Sequence, residues 1–138
     1  MTPEDSTLEL DEQSTTLVTR ARERTAGLRT AAQLPAHKRV ALLVTGGPLK
    51  GTNFPINKAQ VLLGRPQSDG RSPADVVIAD SEVSRKHCVL EMHGLTALLV
   101  DLDSVNGTFV SGKKIASCEL THLSEFRVGE TTLVLAIT

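Results

Sequence analysis

Residues 84–110 read SRKHCVLEMHGLTALLVDLDSVNGTFV. Two short runs rich in Val and Leu, CVLEM and TALLVDL, stand here beside a cluster of Asp, Ser, Asn and Gly, and GTFV follows it. Apolar runs this short, closed off by turn-forming residues, are the pattern of β-strands. The same grammar continues in both directions. VALLVT (40–45), NFPI (53–56), QVLLG (60–64) and DVVIA (75–79) precede the stretch, and TTLVLAI (131–137) ends the β region. Several runs have only four or five residues, and their spacing is near the regular interval of a sandwich or barrel. No helical pattern of 10–15 residues separates them, which argues against parallel βαβ units. The last run is almost continuously apolar, as a strand buried deep in a sandwich would be. The fold class is all-β, and no internal repeat is visible.

Ahead of residue 38 the chain changes character. Residues 1–19 are acidic, rich in Ser and Thr, and contain no Lys or Arg. Such a segment cannot bury enough apolar surface to offset its ordering entropy and is expected to be disordered. Residues 20–34 (RARERTAGLRTAAQL) turn basic. Ala, Leu, Arg and Glu favour a helix there, Gly27 and the short length weaken it, and Pro35 stops it. The expected organisation is a tail over residues 1–38, disordered or partly helical, followed by one β domain over 39–138. The chain closes just as its last strand should, so we expect it to be the N-terminal piece of a longer signalling protein.

Composition narrows the function. With 138 residues and a formal net charge of −1, the chain lacks the bulk positive charge on which many nucleic-acid binders rely. Trp and Tyr are absent and Phe occurs three times, so there is no aromatic platform for stacking bases. Cys88 and Cys118 lie outside any CxxC pattern and read as buried small hydrophobes in a reducing compartment. No metal or other cofactor is expected. No signal peptide and no run of 18 apolar residues is present, so a cytoplasmic protein without a membrane partner is expected. Gly46–Thr52 has the wrong spacing for a phosphate loop and no helix after it, and reads as a hairpin turn. Ser84, His87 and Asp101 would be the members of a hydrolase triad, but the strained elbow that a serine nucleophile needs is missing. No enzyme is expected.

Three polar patches remain, each at a strand end: Gly64-Arg65, Ser84-Arg85-Lys86-His87, and Asp101-Leu102-Asp103-Ser104-Val105-Asn106-Gly107-Thr108. Singly they are unremarkable, and Asn106-Gly107 by itself signals a hairpin. Together they offer two Arg forks, a Lys point charge, a hydroxyl and an amide. Brought to one end of a rigid sandwich, that set suits a phosphate dianion.

In this order the patches resemble the signature of the forkhead-associated (FHA) domain family, in which a Gly-Arg pair is followed by Ser-x-x-His and then by Asp-Leu-x-Ser-x-Asn-Gly-Thr. The resemblance covers residues 40–138. It implies an eleven-stranded β-sandwich whose apical loops clasp a phosphothreonine peptide, with Arg65 and Ser84 on the phosphate and Arg85 adding a charged contact. Asn106 would bond the peptide backbone. Gly64, His87 and Gly107 would be architectural, with His87 bracing the loop that presents Ser84. Val105 stands where the family often has a hydroxyl residue, which implies one polar contact fewer or a more apolar rim. Ser111 replaces a frequent Asn and should alter only a turn. Arg71, in the long polar loop 66–75, is a further candidate to reach the ligand. Phosphoserine carries the same charge as phosphothreonine, so selectivity must come from a niche for one methyl group, worth on the order of 1 kcal/mol.

The tail sequence Asp11-Glu12-Gln13-Ser14-Thr15-Thr16-Leu17-Val18 resembles the phosphorylated tails of some bacterial FHA regulators, which implies a Ser/Thr protein kinase as a partner. Thr15 and Thr16 are the candidate phosphorylation sites. More than twenty residues separate Thr16 from the first strand, roughly 70 Å when extended, against a domain radius of gyration of about 14 Å. A phosphorylated tail could therefore reach its own domain at high effective concentration. The expected partners are a phosphothreonine protein or this tail. The rival expectation is a phosphate-independent interaction module on the same scaffold.

Overall fold

The computed structural model describes residues 31–138. The tail proper and both candidate threonines, Thr15 and Thr16, lie outside the described residues. Eleven strands in two sheets make up the domain, and no helix occurs among the described residues. β1 (Val40–Gly46), β2 (Asn53–Ile56), β7 (Thr108–Val110), β8 (Lys113–Ile115), β10 (Glu125–Val128) and β11 (Thr131–Ile137) form one sheet in the order β2-β1-β11-β10-β7-β8. β3 (Gln60–Gly64), β4 (Val76–Val77), β5 (Cys88–His93), β6 (Thr96–Asp101) and β9 (Ser117–Leu120) form the other, in the order β4-β3-β5-β6-β9.

The two sheets close on each other because apolar residues alternate along the strands. Leu42 and Val44 of β1, Leu133 and Leu135 of β11, and Phe126 and Val128 of β10 meet Val61, Leu63, Leu90, Met92, Ala97 and Leu99 from the facing sheet. All are buried. The apolar terminal run does lie deep in the sandwich, paired with β1 along its length and with β10 on its other side.

Three strands, β8, β9 and β10, do not stand out as apolar runs. KKI, SCEL and EFRV place one or two apolar residues inward and leave charged residues in solvent. Gly46–Thr52 forms the β1–β2 turn, as its sequence implies, with Gly51 N–H donating to the Val44 carbonyl at 2.9 Å. Asn106-Gly107, by contrast, does not make a hairpin. It ends the crossover from β6 to β7, which belong to different sheets.

The crossover gives the sandwich a polarity. β3 ends, β5 begins, β6 ends, β7 begins and β11 begins at the same pole. The loops 65–75, 78–87 and 102–107 therefore leave the scaffold together. At the opposite pole Gln33 forms an isolated parallel bridge with His93, and Arg39 and Thr138 exchange backbone hydrogen bonds.

Candidate functional site

Gly64 is where the site begins. A Cβ on this residue would lie 1.7 Å from the carbonyl oxygen of Arg85 and 3.3 Å from that of Ser84. Any side chain would push the 84–85 backbone away, so glycine is required by close approach. The closeness lets Arg65 N–H donate to the Ser84 carbonyl at 3.0 Å and His87 N–H to the Leu63 carbonyl at 2.9 Å. The Arg65 side chain follows the same loop, its Nε donating to the Val83 carbonyl at 2.8 Å. One edge of the guanidinium is thereby fixed on the loop that carries Ser84.

His87 is fully buried and spans two loops. Nδ1 accepts from the backbone N–H of Ser84 at 3.0 Å, and the opposite nitrogen, Nε2, lies 2.9 Å from the Gly107 carbonyl. Because Nδ1 accepts, the ring proton sits on Nε2, and the neutral ring satisfies both contacts. Burial holds its pKa below the ordinary value; the Gly107 carbonyl, Asp101 and Asp80 pull the other way without overcoming it.

The 101–108 loop is organised by a carboxylate. One oxygen of Asp101 accepts from the hydroxyls of Ser104 (2.5 Å) and Thr108 (2.8 Å), and the other accepts from the Ser104 amide (3.1 Å). Ser104 Oγ in turn accepts from Gly107 N–H at 3.0 Å. Gly107 has φ +90° and packs on the stem of Lys114, so the turn requires a residue that tolerates that conformation. The loop then reaches across to its neighbour, with Val105 N–H donating to Ser84 Oγ at 3.0 Å. That contact uses a lone pair of the hydroxyl and leaves its proton available to an outside acceptor.

Asn106 is exposed, and its Nδ2 donates to both the carbonyl (2.8 Å) and the Oε1 (3.1 Å) of Glu82. Its amide oxygen is thereby directed away from Glu82. The 78–87 loop is fixed from below by buried Asp80. This carboxylate accepts from Glu82 N–H (2.9 Å), Glu130 N–H (2.8 Å) and the Thr131 hydroxyl (2.7 Å), joining the two sheets. Burial alone would raise the Asp80 carboxyl, but these donors bring it below the usual range.

The structure thus brings Arg65, Ser84, Val105 and Asn106 to one rim, with Gly64, His87 and Gly107 beneath it. Arg85 is exposed on the same loop as Ser84, and Val105 is 84% exposed. Arg71 is exposed on its loop, 3.8 Å from Asp69. Ser111, with φ +53°, lies in the β7–β8 turn. Asp80, Glu82, Asp101, Ser104 and Thr108 complete the frame and escape notice in the sequence as positioning residues. A signal existed for one group: Asp followed by Ser three residues later is the spacing of a side-chain-capped turn. Glu82 carries no such local mark, since its Asn106 partner is 24 residues away, and apart from its turn contact with Glu82 N–H the partners of Asp80 lie 50 and 51 residues away. Among the described residues no cluster of metal-ligating side chains occurs.

Residues 43–137 match the family model described as the cytoplasmic domain of the inner membrane component of T3SS. The glycogen accumulation regulator GarA of Mycolicibacterium smegmatis is 35% identical over 95 residues, covering 67% of this chain and 56% of GarA. The FHA domain-containing protein FhaB of Mycobacterium tuberculosis is 30% identical over 95 residues, 68% of this chain and 58% of FhaB. A solved FHA domain studied for its phosphothreonine-dependent interactions superposes with a TM-score of 0.61 at 26% identity, covering 72% of this chain and 97% of that one. The chain belongs to the forkhead-associated domain family. It spans rather more than half the length of the two curated relatives. The eleven strands of this FHA domain are those the family resemblance implied.

Two outcomes follow from the frame. Replacing Gly64 by Ala should destabilise the domain by about 3 kcal/mol, through overpacking against a backbone carbonyl that cannot yield; urea unfolding measures it. For His87 the depressed folded-state pKa makes the unfolded chain the better proton acceptor. Its stabilising contribution is complete above the unfolded value of 6.5 and is lost as pH falls from there through the lower folded value. The His87 ring should accordingly titrate below pH 6.5 by NMR, and unfolding free energy should decline over the same range.

Proposed function

We propose that this FHA domain is a phosphothreonine-peptide recognition module, with no catalytic step of its own, acting in Ser/Thr-kinase signalling. The observation that carries the reading is the placement of the Arg65 guanidinium and the Ser84 hydroxyl on one pinned backbone junction, both with unused donors. A phosphate dianion needs a planar cationic fork and short hydroxyl donors. Arg65 supplies the first and Ser84 the second, and Arg85 adds charge from the same loop. Asn106, held through Nδ2, offers its amide oxygen to a peptide N–H. Val105 contributes a backbone donor to Ser84 and an apolar wall at the rim, a place where the threonine methyl can pack. The phosphothreonine-dependent interactions of the similar solved FHA domain support the assignment.

The finer reading concerns regulation. A kinase modifies Thr15 or Thr16, and the modified tail docks at Arg65 and Ser84, closing the site to outside partners. The last described residues before the domain support its feasibility. Gln33 is held at the pole opposite the site, and Thr16 lies 17 residues upstream. That length spans roughly 58 Å when extended, while the six residues of β5 cover about 20 Å.

Arg65→Ala should weaken binding of a phosphothreonine peptide by about 2–4 kcal/mol with the fold retained, as read by calorimetry. Phosphatase treatment of the peptide should abolish binding to the wild-type protein; undiminished binding would instead identify a phosphate-independent module. For the regulatory reading, tail-phosphorylated protein should bind an outside phosphopeptide more weakly than unmodified protein does. Equal binding by the two forms overturns the autoinhibitory tail and leaves the recognition module standing.

A further inference from the structure

The rim carries a negative charge that phosphate binding does not explain. Glu82 is exposed on the loop that presents Ser84 and Arg85. A carboxylate beside a dianion site weakens it by repulsion, so this residue needs an account of its own. Asp80 is the contrast: it is buried, and its oxygens are taken by Glu82 N–H, Glu130 N–H and the Thr131 hydroxyl. The Glu82 carboxylate accepts one hydrogen bond, from Asn106 Nδ2 to Oε1 at 3.1 Å. Among the described residues no ion pair engages it. Its charge is available to a ligand.

The residue is also held more firmly than an exposed side chain usually is. Its N–H donates to Asp80 Oδ1 at 2.9 Å, which pins the main chain from beneath. Its carbonyl accepts from Asn106 Nδ2 at 2.8 Å, so one amide group closes on both the backbone and the side chain of Glu82. Both acceptors are oxygens without a proton, which turns the Asn106 nitrogen toward Glu82 and the amide oxygen away from it. A second link stands next to this one, from Val105 N–H to Ser84 Oγ. The two loops are thus tied twice, 84 to 105 at the phosphate donors and 82 to 106 beside them. Between the ties, Arg65 Nε donates to the Val83 carbonyl. A peptide that leaves the phosphate site over Asn106 meets the Glu82 carboxylate.

We propose that Glu82 is a specificity-determining residue. It fixes the Asn106 amide for the peptide backbone and selects a lysine or arginine near the phosphothreonine, against an acidic residue at the same place. The inference rests on the phosphothreonine reading above. Arg65, Ser84 and Arg85 recognise the phosphate and carry no preference for a basic neighbour. Glu82 supplies the opposite sign close by, attracting a cationic side chain and repelling an anionic one. At an exposed rim the preference for lysine over glutamate should be on the order of fivefold and should shrink as salt rises.

The test scans a phosphothreonine peptide with lysine, alanine or glutamate at each flanking position, read by fluorescence anisotropy against wild type, Glu82→Gln and Glu82→Ala. In the wild type one flanking position should favour lysine over glutamate. Glu82→Gln keeps an acceptor for Asn106 and removes the charge, so the preference should vanish while the alanine peptide binds as well as before or better. Glu82→Ala should lose the preference and also bind the alanine peptide several-fold more weakly. In the free protein the side-chain N–H₂ signals of Asn106 should move in Glu82→Ala and stay near their wild-type positions in Glu82→Gln. A lysine preference that survives in Glu82→Gln, or no charge preference at any position in the wild type, overturns the proposal and leaves phosphothreonine recognition standing. Asn106 signals unmoved in Glu82→Ala overturn the positioning role. A wild type that binds none of the phosphopeptides overturns both the proposal and the reading beneath it.

Discussion

The geometry of the rim depends on one buried imidazole that must stay neutral. His87 accepts a hydrogen bond from the Ser84 amide on one side and donates one to the Gly107 carbonyl on the other, so two separate loops share a single rigid ring. Burial enforces the neutral form, and the neutral form alone has both an acceptor and a donor to offer. The close passage of the 84–85 backbone over Gly64 then fixes the distance between that ring and the β3 strand. Everything exposed at the rim is a substituent on this buried arrangement.

Polar groups beneath the rim are otherwise used up internally. Asp80 and Asp101 each accept several hydrogen bonds from one or two loops, so their negative charge is dissipated in local donors. Arginine behaves differently. Arg65 is steadied through Nε, while Arg85, on the neighbouring loop, remains exposed. The outcome is a cationic surface over a carboxylate foundation, in a chain whose overall charge is close to neutral. Pre-arranged donors of this kind reduce the ordering cost of meeting a ligand.

Much of this was legible before any coordinates. Alternation and turn residues identified the long strands, because TALLV and TTLVLAI are buried enough to leave an apolar signature. KKI, SCEL and EFRV gave no such signature, since edge strands and half-exposed strands need only one inward residue in two. Ordered motifs located Arg65, Ser84 and Asn106, yet a local rule misread Asn106-Gly107, because hairpin chemistry and crossover chemistry both favour residues that tolerate unusual φ. Glu82 and Asp80 were out of reach: their importance lies in contacts that only the folded chain creates. A second buried cluster, Leu62, Val89, Leu98, Val100 and Leu102, separate from the core between the sheets, was hidden for a related reason. QVLLG, CVLEM and TALLV are hydrophobic on both sides, which reads as deep burial without saying what does the burying.

The strand directions have a further consequence. The chain enters β1 and leaves β11 beside the reciprocal Arg39–Thr138 hydrogen bonds, at the far end from Arg65 and Ser84. Handle and mouth are thus separated by the length of the sandwich. A fluorophore, an immobilising surface or a fused protein attached beyond either strand would point away from the arginines, so the domain can be tethered without being blinded.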